Sequence, residues 1–205
     1  MRTRAFLVLL VLVSGPALAG GEVTVAVASN FSRAAAEISA QFADETGIKV
    51  RISNGSTGKL YAQILNGAPF DVFLAADAER PARLEQSGHA VSGSRSTDAV
   101  GALVLWSGVA NDCLAVLGDE HGGRVALANP QTAPYGKAAI EYLSAEGVWD
   151  SVSRRAVYGE NINQALQFVA TGNAAIGFIA KSQLAAPQLP KATCTWELPA
   201  SSHSS

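Results

Sequence analysis

The chain has 205 residues, 48% of them hydrophobic, which is enough for one large domain or two small ones around a packed core. Fifteen basic residues against 17 acidic ones give a formal charge of −2. With no Lys/Arg cluster, that balance argues against a nucleic-acid partner.

The N-terminus reads as an export signal. Arg2 and Arg4 precede a short apolar run over 6–13, and Ala17-Leu18-Ala19 is a small-x-small cleavage site. A signal peptide is therefore expected over 1–19, with the mature chain starting at Gly20 and free of a lipid-bearing cysteine there. The apolar run is short for a membrane span. Removing Arg2 and Arg4 leaves 13 basic residues against 17 acidic ones, a balance of −4. A mature chain of that charge does not attract anions by its net field, so an anion site must rest on local dipoles.

Val23, Val25 and Val27 alternate with smaller residues as a first strand. Phe31, Ala35, Ile38 and Phe42 follow at helical spacing, and Gly47 suits the helix end. Ile48, Val50 and Ile52 alternate as a second strand, and Leu60, Ile64 and Leu65 mark a second helix closed by Asn66-Gly67. Residues 72–76 form a continuous apolar run, the mark of a buried parallel strand, and Asp77 is placed to cap a third helix. The polar, Gly/Ser-rich stretch 88–98 leads into a second unit. There, strands are expected over 100–106, 125–128, 156–158 and 174–180. Helices are expected from Pro134 to Gly147 and from Asn161 to Gly172. Alternating strands and helices predict an α/β fold with mostly parallel sheets flanked by helices.

Cys113 and Cys194 are the only cysteines. In an oxidising compartment they are expected to form one disulfide; two unrelated buried thiols are the alternative. Without a His partner pattern they do not suggest zinc.

In an open α/β sheet, ligands sit beyond the carboxyl ends of the strands, where helices begin. Helix starts offer unpaired N–H groups and partial positive charge. Four strand-to-helix junctions carry small polar residues or tight turns: Ser29-Asn30, Asn54 to Lys59, Thr132 to Gly136, and Gly159 to Asn163. Each alone is ordinary capping. Together they predict a cleft for a small tetrahedral acceptor of hydrogen bonds. The Gly55–Lys59 stretch departs from a phosphate loop, with Ser53 at the first glycine position and Leu60 after the lysine. An enzyme is not expected. His89, His121 and His203 sit in polar or Gly-rich stretches, no nucleophile elbow is present, and Asp71, Asp77 and Glu160 have ordinary turn and cap roles open to them.

Several blocks resemble the periplasmic molybdate-binding protein family. They are residues 25–31, 54–64, 66–77, 128–136 and 161–165, in the family's order. The resemblance spans roughly 22–199. It implies a two-lobed periplasmic-binding fold, with residues 20–100 and 185–205 in the first lobe and 101–184 in the second. It implies molybdate or tungstate held by neutral hydroxyl and backbone N–H donors, with no cofactor and no direct cation ligand. The implied positions are Ser29 and Asn30, then Ser56 and Thr57 with the donating hydroxyl left open, then Tyr135, then the backbone N–H of Ile162. An ABC-transporter membrane permease is the implied partner, and the chain is expected to act in the periplasm as a monomer.

Ala180 stands where one family branch carries a tyrosine. Family members also continue for several dozen residues beyond a segment like 196–199, so the C-terminal part of the first lobe is expected to be incomplete. Sulfate or another oxyanion, and a shortened chain without retained binding, are the alternatives; molybdate and sulfate differ in size, which composition does not report.

Overall fold

The computed structural model describes residues 21–199; the expected signal peptide over 1–19 and the Ser-rich end over 200–205 lie outside them. Two sheets organise the chain. In the first, β1 (Glu22–Ala28), β2 (Lys49–Gly55) and β3 (Val72–Leu74) run parallel in the order β2-β1-β3. A 3₁₀ turn over Ser29–Phe31 leads from β1 into α1 (Ser32–Thr46). That helix stops at Gly47, whose φ of 72° is a left-handed cap that only glycine adopts without strain. The helices α2 (Thr57–Leu65) and α3 (Glu79–Gln86) complete the unit.

The second sheet has five strands: β4 (Leu103–Ser107), β5 (Val125–Ala128), β6 (Ala156–Gly159), β7 (Ile176–Ala180) and β8 (Cys194–Glu197). Their order is β6-β5-β7-β4-β8. Around them lie α4 (Cys113–Gly118), α5 (Pro134–Ala145), α6 (Trp149–Ser153) and α7 (Ile162–Ala170). The strand pairs β5–β6 and β5–β7 are parallel, whereas β4 runs antiparallel to both β7 and β8. Leu103 at the start of β4 faces Ala180 at the end of β7. The chain therefore enters this unit from the end at which the parallel strands finish, and β4 has no choice but to run against them.

Alternation along β4 explains the larger core. Leu103 and Leu105 point to one face with Leu127, Tyr142 and Phe178, while Val104 and Trp106 point to the other with Ile162, Ala165 and Ile179. A strand buried on both faces reads as a continuous apolar run. The smaller unit buries only Val25, Val27 and Ala35 in its cluster. Of the helical stripe expected on α1, Ala35 is buried but Ile38 is 57% exposed and Phe42 39% exposed.

Within the stretch 185–205 expected in the first lobe, the described strand β8 pairs with β4 of the larger sheet. Three forces hold it there. Cys194 is bonded to Cys113 of α4, with Cα atoms 5.7 Å apart, which settles the two cysteines as a disulfide in the structure. Trp196 stacks at a tilt on Tyr142, 5.5 Å between centroids. Leu198 is buried, and its N–H donates to Leu103 O at 3.0 Å. The capping role of Asp77 also sits one position early. Ala78 is the N-cap of α3, and Asp77 Oδ1 accepts from Arg80 N at 2.8 Å.

The bridge joins residues 81 apart. In the chain-entropy account, a loop of that length contributes roughly 4 kcal/mol by restricting the unfolded chain. The Cys113→Ser, Cys194→Ser double variant is therefore expected to unfold at clearly lower urea than the oxidised parent and to match the reduced parent. Equal midpoints for oxidised and reduced protein would show that the bridge adds nothing.

Candidate functional site

All six residues singled out in the sequence come together. Ser29, Asn30, Ser56, Thr57, Tyr135 and Ile162 line one cavity between the two units, with Ala28, Ala76, Ala133, Pro134 and Asn161 as its remaining walls. About 190 Å³ of space lies among these walls, part of it open solvent. The part enclosed by protein is small. It suits an ion of a few heavy atoms.

Each residue reaches the cavity because a strand ends and a helix starts beside it. Ser29 and Asn30 follow β1, Ser56 stands between β2 and α2, and Thr57 is the first residue of α2. Tyr135 lies in the first turn of α5, and Ile162 is the first residue of α7. The side chain of Asn161 accepts from Asn163 N at 3.0 Å and Gln164 N at 3.1 Å. The cap thus serves the second and third N–H groups of α7 and leaves that of Ile162 as a first-turn donor with no helical partner.

The hydroxyl groups differ in what they already do. Ser29 Oγ donates to Gly55 O at 2.9 Å, so its proton ties the first junction to the second. Thr57 Oγ1 accepts from Ala76 N at 3.1 Å, which fixes the loop after β3. Ser56 is 3% exposed and its Oγ has no hydrogen-bond partner. A buried hydroxyl left without a partner costs on the order of 1–3 kcal/mol, so this cavity wall is open to an acceptor entering the cavity. Asn30 Nδ2 donates to the Tyr135 hydroxyl across the units at a long 3.4 Å. The phenol accepts there, and its own proton remains to be donated.

The electrostatics are those of neutral donors. Among the described residues no group of three or more His, Cys, Asp or Glu side chains is placed to hold a metal ion. Charged groups near the cavity are paired with one another: Arg80 with Asp77, and Lys59 with Glu160. Asp71, the other acid weighed in the sequence, accepts from Thr24 N at 2.7 Å at the start of β1. His89 sits beside Ser87 Oγ at 3.0 Å and is not a wall of the cavity.

Sequence reasoning missed Gln183. This buried side chain accepts from Ala180 N at 2.8 Å and donates to Asn163 Oδ1 at 2.7 Å. It locks the start of α7 to the end of β7 and so positions Ile162. Ala180 is a local partner three residues before it, but Asn163, the partner that ties it to α7, lies 20 residues away.

Known proteins resemble this chain in sequence and in fold. Residues 23–205 match the family model for bacterial extracellular solute-binding proteins. The chain is 51% identical over 166 residues to the molybdate-binding protein ModA of Azotobacter vinelandii, covering 80% of this chain and 66% of that relative. It is 49% identical over 188 residues to ModA of Rhodobacter capsulatus, covering 88% of this chain and 73% of that relative. The solved periplasmic molybdate-binding protein of Azotobacter vinelandii superposes with a TM-score of 0.81 at 38% identity, covering 88% of this chain and 80% of that one. The chain thus spans about two-thirds to four-fifths of the length of these relatives. All are named for binding and not for catalysis, as expected of this chain.

Burial raises the Tyr135 phenol above its ordinary 10.0, while the Asn30 hydrogen bond pulls the other way. A raised phenol stays neutral longer in the folded state than in the unfolded one. Its contribution to stability is complete below pH 10 and is lost as the pH rises past the folded value. Thermal unfolding of Tyr135→Phe should therefore decline less steeply than that of the parent above pH 10; identical slopes would contradict burial of this phenol.

The matched family model and the two ModA relatives establish that the chain belongs to the bacterial extracellular solute-binding protein family as a homologue of the molybdate-binding protein ModA.

Proposed function

We propose that this protein captures molybdate, or the isosteric tungstate, in the cavity between its two units and delivers it to the membrane permease of an ABC importer. The observation that carries the reading is the buried Ser56 hydroxyl without a partner, beside the free first-turn N–H of Ile162 and the Tyr135 hydroxyl. A tetrahedral dianion supplies acceptors to all three and no proton of its own. We assign the donor role at the second junction to Ser56, whose buried hydroxyl has no partner, whereas the Thr57 hydroxyl accepts from Ala76 N and keeps its own proton. Ser29 keeps its place in the set, although an anion oxygen must compete with Gly55 O for its proton. The ModA relatives support the choice of anion. The residues Arg2, Arg4 and Ala17-Leu18-Ala19 support export, and the proposed place of action is the periplasm.

Donors alone also discriminate. A partly protonated phosphate brings an O–H that must turn a hydroxyl such as that of Ser56 into an acceptor, which forfeits one of the hydrogen bonds the site donates to a full dianion. Sulfate offers the same acceptors on a smaller frame and is the second reading.

Calorimetric titration with molybdate, tungstate, sulfate and phosphate separates these readings. Molybdate and tungstate are expected to bind, with sulfate and phosphate at least about tenfold weaker, or ~1.4 kcal/mol. Ser56→Ala removes one hydrogen bond to a charged ligand, worth ~1.5–3 kcal/mol, and so should weaken molybdate at least about tenfold. The same change should leave the ligand-free protein no less stable, because it deletes an unpaired polar atom. Tighter binding of sulfate than of molybdate would favour the second reading, and unchanged affinity in Ser56→Ala would remove this hydroxyl from the site.

A further inference from the structure

Beside the Asn30–Tyr135 hydrogen bond, contacts that involve none of the cavity's donors also join the two units. At the first turn of α2, Gly58 N–H donates to Thr132 O across the units at 2.8 Å. Beside it, the Lys59 ammonium pairs with Glu160, the residue that follows β6. Neither Gly58 nor Lys59 lines the cavity. Where the chain crosses between units, Lys181 N donates to Ala102 O at 2.9 Å, and Ser182 Oγ donates to Asn30 O at 2.8 Å. The α2 contacts are separate from that crossing and bring together residues more than 70 positions apart.

Close approach at this point depends on glycine. A Cβ at position 58 would stand 2.9 Å from Thr132 O and 3.0 Å from Thr132 Cα, both backbone atoms that no rotamer change can move. The Arg80 guanidinium, held by Asp77, would be 3.3 Å away on another side. Helix formation does not call for glycine here, since alanine is the better residue inside a helix. The glycine is explained by the partner across the cleft.

We propose that the Gly58–Thr132 hydrogen bond, flanked by the Lys59–Glu160 ion pair, is an interlobe latch that holds the cavity closed, with Gly58 a positioning residue that sets the closed fraction. The proposal rests on reading the cavity as the anion site. Apparent affinity scales with the population of the binding-competent form. Gly58→Ala therefore changes affinity with every ligand contact intact, and its better helix propensity offsets local loss of stability.

Two measurements test this. Solution scattering of the ligand-free protein should give a larger radius of gyration for Gly58→Ala than for the parent, at an unchanged thermal midpoint. Calorimetry with molybdate should show affinity reduced at least about tenfold in Gly58→Ala. Lys59→Glu and Glu160→Lys should each weaken binding by up to about fivefold at low salt, and the double reversal should recover it. Superimposable scattering curves for parent and Gly58→Ala, or a double reversal no better than the singles, would overturn the latch. A parent that binds no anion while Gly58→Ala still expands would support the latch and sink the molybdate reading. A parent that binds molybdate while Gly58→Ala stays compact would do the reverse.

Discussion

The first N–H groups of a helix have no carbonyl partners within it, and the rest of this structure is arranged around that deficit. Four helical starts meet at one cavity, each placed there by the strand before it. Caps and cross-links take up some of the donors: Asn161 serves Asn163 and Gln164, and Thr132 serves Gly58. What is left over faces the cavity. An anion removed from water must have its lost hydrogen bonds replaced, and the proposed site offers these groups for that without a formal charge. The pairing of Arg80 with Asp77 and of Lys59 with Glu160 keeps the neighbouring charges balanced. This is consistent with a protein whose net charge is itself negative.

The two units carry unequal shares of stability. The five-stranded sheet buries Trp106, Phe178, Leu105 and Leu127 completely and adds a disulfide at its edge. The three-stranded sheet has a thin core, and Ile38, Phe42, Leu65 and Val72 in it are exposed by 39–57%. On this account the larger unit is the rigid half of the cleft. It presents Tyr135 from α5 and Ile162 from α7, each on a helix with a well-buried face.

Much of the site was legible in the sequence because its chemistry is local. Ser29-Asn30, Ser56-Thr57, Tyr135 and Asn161-Ile162 declare helix starts through residues within two or three positions of one another. The continuous apolar run at 125–128 likewise declares a strand buried on both faces. The missed features depend on distant partners. The antiparallel course of β4 follows from where the chain enters the second unit. The place of β8 follows from Cys113 and Tyr142, more than 50 residues away. Gln183 and Gly58 look like ordinary helix residues until Asn163 and Thr132 are set against them. The helices α4 and α6, of six and five residues, are too short for a 3.6-residue period to show.

The central claim is that a molybdate-class oxyanion sits among neutral donors at these helix starts. Anomalous diffraction at the molybdenum edge, from crystals grown with molybdate, tests it most directly. The account predicts one peak in the cavity, with ligand oxygens in hydrogen-bond reach of Ser56 Oγ, the Tyr135 hydroxyl and Ile162 N. A peak lodged elsewhere, or molybdenum coordinated by carboxylate or imidazole side chains, would contradict it.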